Sequence, residues 1–187
     1  MKAKIILGLL VVGLMANGSS CLNDPIIVPL NAPLQHCETT NPGGTWGDDP
    51  PTTVKILDQI PESYRDAVVG ARLVDVVIYA VNPDTNAVVN GEAGFVDDAG
   101  TYRPVVMFSG TGKDFVQRRS LLKDQAPLIT PVQNNLTLLE GIIDQFVQDP
   151  ENTVVRVYSR GTVSPPVSGQ EICVEILVQV DGKVSTD

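Results

Sequence analysis

The side chains able to do chemistry in this sequence are few and scattered. His36 is the only histidine of the 187 residues, so any hydroxyl–imidazole–carboxylate or cysteine–imidazole mechanism must pass through it. It precedes Cys37 in a proline-rich stretch, a poor place to preorganise a base, and the expectation is a solvated ring. The three cysteines, Cys21, Cys37 and Cys173, lack the close His/Cys spacing of a zinc site. Carboxylates are plentiful: Asp48 and Asp49, Asp84, Glu92, Asp97 and Asp98. Of these, Asp97 and Asp98 are the calcium candidates, as adjacent acids in a turn, although no D-x-D-x-D-G spacing surrounds them. Two acids distant in sequence can still converge in a cleft, which keeps a carboxylate-dependent hydrolase open.

Two further motifs fall short. Ser109-Gly110-Thr111-Gly112-Lys113-Asp114 looks like a phosphate loop, but Met107 stands where that loop needs glycine and Asp114 where it needs serine or threonine. Trp46, in Gly43-Gly44-Thr45-Trp46-Gly47, is an aromatic in a glycine-rich loop and is expected to cover a sheet edge. No residue is assigned a catalytic role, and no cofactor is expected.

Charge narrows the partners. With 22 acidic and 13 basic residues the net charge is −9. Such a surface repels nucleic acid and anionic headgroups, so no nucleic-acid partner is expected.

The first 20 residues carry an address. Lys2 and Lys4 precede the apolar run Ile5 to Ala16, well short of the roughly 20 residues that span a bilayer, and residues 1–20 therefore read as a signal peptide. The following Asn17-Gly18-Ser19-Ser20-Cys21 resembles the processing site of bacterial lipoproteins, with Gly18 where that family usually has an aliphatic residue. The resemblance implies acylation of Cys21 and attachment to a membrane through lipid. Ordinary cleavage after Gly18, giving a secreted or periplasmic protein, is the alternative. Cysteine arithmetic favours the lipoprotein: acylating Cys21 leaves Cys37 and Cys173 as an even pair that can form a disulfide in an oxidising compartment.

Positioning these residues falls to the mature chain. Residues 21–52 hold Pro25, Pro29, Pro33, Pro42, Pro50 and Pro51 and read as a tether, with one short edge strand near residues 26–30. Residues 53–187 read as a single β-rich domain. Strands are expected at 53–57, 71–81, 87–89, 92–96, 101–108, 152–163 and 171–180, with a short helical turn at 61–67. Asn90-Gly91 is expected to turn a hairpin, making the middle segments a meander. Val132, Leu136, Leu139, Ile143 and Phe146 recur at helical spacing, so a helix is expected over about 131–148, capped by Thr130 and laid on the sheet. In the last strand Ile172, Val174, Ile176, Val178 and Val180 share one face, placing Cys173 on the other.

The fold class is mainly β: an antiparallel β-sandwich or curved sheet with one amphipathic covering helix. Beyond residue 53 the texture is similar to uncharacterised exported bacterial β-sandwich lipoproteins, a likeness that transfers no functional residue. The functional expectation is a noncatalytic cell-envelope lipoprotein, a binding or structural module whose partners are the membrane and another envelope protein. The alternatives are a carrier or sensor of an apolar ligand in a cavity between sheet and helix, and the hydrolase.

Overall fold

The computed structural model describes residues 26–123 and 128–184. The first strand is β1 (Ile26–Thr39), 14 residues within the stretch expected to be a tether. It pairs antiparallel with β10 (Glu171–Val184) along its whole length, from Ile26 opposite Val184 to Thr39 opposite Glu171. Pro29 and Pro33 are tolerated because β1 is an edge strand: they share a parity, so one free side of the strand can take both missing donors. Residues 26–39 therefore belong to the domain, and the short edge strand extends well beyond residue 30.

The described residues form ten strands in chain order: β1, β2 (Thr45–Trp46), β3 (Thr52–Lys55), β4 (Val68–Val81), β5 (Val88–Val96), β6 (Tyr102–Thr111), β7 (Arg119–Ser120), β8 (Ile129–Pro131), β9 (Val154–Ser164) and β10. Short 3₁₀ turns cover Leu57–Gln59 and Glu62–Ala67, and the helices are α1 (Gly112–Phe115) and α2 (Gln133–Gln145). One sheet has the order β1-β10-β4-β7; the other runs β2-β9-β5-β6-β8, with β3 also on β9. The two form an antiparallel β-sandwich around one core, which includes Leu34, Ile78, Phe95, Val157, Ile172 and Ile176.

Residues 87–89, 92–96 and 101–108 do not form a three-stranded meander: the first two merge into β5, which makes a single hairpin with β6 through the acidic turn at 97–100. Asn90-Gly91 makes no turn; both residues pair within β5, where Gly91 lies opposite Gly161 of β9 and Phe108 of β6. A Cβ on Gly91 would come within 2.6 Å of the Trp46 ring, and one on Gly161 within 2.4 Å. These glycines therefore make room for an indole rather than a reversal of the chain.

The helix keeps its apolar stripe: Leu136, Leu139, Ile143 and Phe146 are buried, while Gln133, Asn134, Thr137, Glu140, Asp144 and Gln148 are exposed. Its start is corrected, because Thr130 and Pro131 pair with Met107 and Val106 as β8, and Val132 takes the cap position without a side-chain hydrogen bond. α2 contacts β4 of one sheet and β6 of the other, so it closes one side of the sandwich. β1, touching β3 and β9, closes the opposite side.

Candidate functional site

That second side holds the sole histidine. Along β1, Ala32, Leu34, His36 and Glu38 point inward, with His36 and Glu38 each 4% exposed. The solvated ring expected from sequence is therefore wrong, because the prolines around His36 lie in a paired strand. Its Nε2 is 2.6 Å from Glu38 Oε1 and its Nδ1 is 2.7 Å from Thr52 Oγ1. The short contact to a carboxylate places a proton on Nε2. The other Glu38 oxygen accepts the backbone N–H of Gly47 at 2.5 Å, and the Tyr158 hydroxyl donates to the Gly47 carbonyl. Gly47 has φ +105°, and a Cβ there would meet Arg160 Cβ at 2.3 Å. Only glycine fits.

These contacts fasten both ends of the 47–52 segment to β1, so the pair joins one sheet to the other. The chain Thr52–His36–Glu38 has the order of a nucleophilic relay, hydroxyl to imidazole to carboxylate, with Thr52 exposed at its outer end. Between the two inward residues, Cys37 points outward and is bonded to Cys173 directly opposite it on β10, with Cα atoms 4.1 Å apart. Cys173 does lie on the outer face of its sheet, yet it is 1% exposed. Nearby on that face, Arg118 pairs with Glu175 and stacks over Tyr79.

The second feature is a cleft of about 740 Å³ on the outer face of the β9-β5-β6 sheet. Strand alternation puts Asn90, Glu92, Met107, Ser109, Arg160 and Thr162 on this face, and Gly91 and Gly161 form its floor with Trp46 also contributing. Trp46 is 4% exposed and stacks on Phe108, with ring centroids 6.2 Å apart. It therefore packs across paired glycines rather than standing as an exposed platform. At one end of the cleft Arg160 pairs with Glu92 at 2.5 Å and lies over the Tyr102 ring. Its pKa is raised further by the hydrogen bond to Glu92. Burial, reinforced by the Glu92 charge, pushes the Tyr102 hydroxyl far above its ordinary value, so it stays protonated. That hydroxyl has no hydrogen-bond partner among the described residues.

The remaining sequence candidates separate. Cys21 lies outside the described residues. Asp97 accepts from the Thr101 N–H and Arg103, and the exposed Asp98 pairs with Arg156, so protein donors engage both carboxylates. In 109–114, the Gly112 N–H donates to Ala87 and Asp114 caps Thr111, so the loop is a strand-to-helix junction. The His36–Glu38 pairing was missed because two residues of like parity in a strand share a face only once the strand is recognised. The alternation Ala32, Leu34, His36, Glu38 was the available signal. The cleft was missed because its rows come from strand register.

No protein family matches this chain, and no curated protein matches it. Among solved structures it is similar to one of desmodium yellow mottle tymovirus, at 12% identity and TM-score 0.35 over 95% of this chain and 98% of that one. Two of turnip yellow mosaic virus stand at 16% identity and TM-score 0.37, covering 87% of this chain and 98% of that one, and at 14% and 0.30, covering 99% and 93%. Similarity at this level transfers no function to this chain.

Proposed function

We propose that this protein is an exported, lipid-anchored envelope module that works by binding rather than by catalysis, with the outer-face cleft as its contact surface. The observation carrying the export reading is the Cys37–Cys173 bond between directly opposed residues. It accounts for two of the three cysteines, leaves Cys21 as the odd thiol, and suits an oxidising compartment. The apolar run before Cys21 supplies the export signal, and acylation supplies attachment that the acidic surface does not. Among the described residues no helix is long and apolar enough to cross a membrane.

Intact-mass measurement on protein from its own host tests this. The expected species begins at Cys21, carries a diacylglycerol-sized addition on that residue, and lacks two hydrogens for the disulfide. An unmodified Cys21, or a chain retaining residues 1–20, overturns the anchor. The noncatalytic clause has its own test, because Thr52 is the one hydroxyl aligned with His36. A fluorophosphonate probe is expected to leave Thr52 unlabelled, and a covalent adduct there would replace binding with acyl transfer.

The carrier alternative rests on one observation. Beside α2 lies a cleft of about 450 Å³, whose lining includes Leu73, Val76, Leu121, Leu122 and Leu136. An extractable apolar mass in native mass spectrometry, lost on Leu136→Asp, would favour it over the outer-face cleft.

A further inference from the structure

The His36–Glu38 pair and the outer-face cleft are connected by a short run of contacts. Glu38 holds the N–H of Gly47, Tyr158 holds its carbonyl, and the residue before it is Trp46. The Trp46 ring occupies the space left by the missing side chains of Gly91 and Gly161, which form the cleft floor. A buried carboxylate thus sits one residue from the indole that backs the proposed contact surface.

The two sides of this connection differ in how firmly they are held. β1 is fixed by its pairing with β10 and by the disulfide at Cys37, between the two residues of the pair. The opposite partner is the turn Gly47-Asp48-Asp49-Pro50-Pro51, outside the strands, in which Asp48, Asp49 and Pro50 are exposed. Trp46 lies in β2 and stays paired with Gly161 of β9, so release of the contact frees the 47–51 turn beside it and lets the indole shift on its seat, leaving β1 in place.

Ionised Glu38 can accept from the Nε2–H of His36 and the N–H of Gly47 together, one on each oxygen. A protonated carboxyl has one oxygen converted to a donor, with two N–H groups still facing it. The buried imidazole then keeps its donor while losing its anionic acceptor. The other polar or charged groups around the pair and the tyrosines beside it are the Thr52 hydroxyl from β3, the Tyr158 and Tyr102 hydroxyls, Asp48 of the turn, Glu92 of β5 and Arg160 of β9. Tyr158 is held above its ordinary value, first by burial and then by the Glu38 charge. It therefore stays a neutral donor to Gly47 throughout the acid range, and Asp48 and Glu92 are the other carboxylates in this set.

We propose that His36, Glu38 and Gly47 form a proton-sensitive latch: ionised Glu38 keeps Trp46 seated on Gly91 and Gly161, and its protonation releases the 47–51 turn, so that the Trp46 ring shifts and reshapes the floor of the outer-face cleft. This rests on the cleft being the contact surface, but the movement itself occurs in the unliganded protein and is measured there.

Trp46 is the only tryptophan of the chain, so its fluorescence reports on the seat alone. Emission and acrylamide quenching are followed in the full mature protein from about pH 7 to about pH 3, with far-UV circular dichroism as the control for the fold. The expected result is a red shift and increased quenching of Trp46 while the β signal is unchanged. Glu38→Gln should show the released emission already at neutral pH and no acid response. Asp48→Asn and Glu92→Gln should respond as the wild type does, which removes those two carboxylates as the source of the response, and the silent Glu38→Gln then ties it to the Glu38 side of the pair. Unchanged wild-type emission across the range in which the β signal persists overturns the latch, and so does native emission of Glu38→Gln at neutral pH. If Glu38→Gln does not fold, the wild-type and Asp48→Asn titrations still decide. Because no ligand is added, a failed latch leaves the binding proposal standing, and a failed binding assay leaves the latch standing.

Discussion

At the scale of single residues, burial decides what a side chain does more than its type. His36 was expected in solvent because it stands in a proline-rich stretch, and strand pairing turns it inward against Glu38 instead. Half-buried acids are instead fixed by local hydrogen bonds. Asp97 is held below the ordinary carboxylate range chiefly by the backbone N–H of Thr101 and then by Arg103, and Asp114 chiefly by the Thr111 hydroxyl and then its backbone N–H. A depressed folded-state value stabilises the fold above the unfolded carboxylate pKa, and the contribution is lost as pH falls through the folded value. Asp97→Ala and Asp114→Ala should therefore lower the melting temperature modestly at neutral pH, with the difference from wild type closing in strong acid. A difference that persists in strong acid would mean these acids act through something other than their charge.

Elements show where local pattern suffices. α2 was legible from its own residues because a helix with one apolar stripe repeats at 3.6 residues whatever it packs against. Its seat, across the open side of the sandwich between β4 and β6, is a tertiary matter. Ile143→Ala should cost about 2–5 kcal/mol, the range for deleting a fully buried aliphatic side chain; urea denaturation measures it, and a loss well below about 1 kcal/mol would contradict the packing described here. β5 is the opposite case. Asn90-Gly91 has the composition of a tight turn, but Gly91 serves contact with Trp46, which no local pattern reveals. Gly161→Ala, whose Cβ would fall 2.4 Å from that ring, should destabilise the protein and shift Trp46 emission. An unshifted spectrum would place the indole elsewhere.

For the molecule as a whole, the longest covalent constraint is the disulfide, which closes a sequence separation of 136 residues. The chain-entropy account sets an upper contribution of about 5 kcal/mol, and replacing both Cys37 and Cys173 with serine should cost about 2–5 kcal/mol in equilibrium unfolding. A negligible loss would mean that β1–β10 pairing alone holds the edge. Composition and periodicity by themselves determined the mainly β class, the amphipathic helix, the inward face of the last strand and the pairing of Cys37 with Cys173 as a candidate, because alternation, helical spacing and cysteine number are properties of the chain alone. The tertiary structure decided that residues 26–39 are a strand, that Asn90-Gly91 is not a turn, and that His36, Glu38, Thr52 and Gly47 meet. Edge pairing, the depth of a cleft and the burial of a charge depend on which distant segment lies alongside, and strand register between segments more than a hundred residues apart leaves no local trace in the sequence.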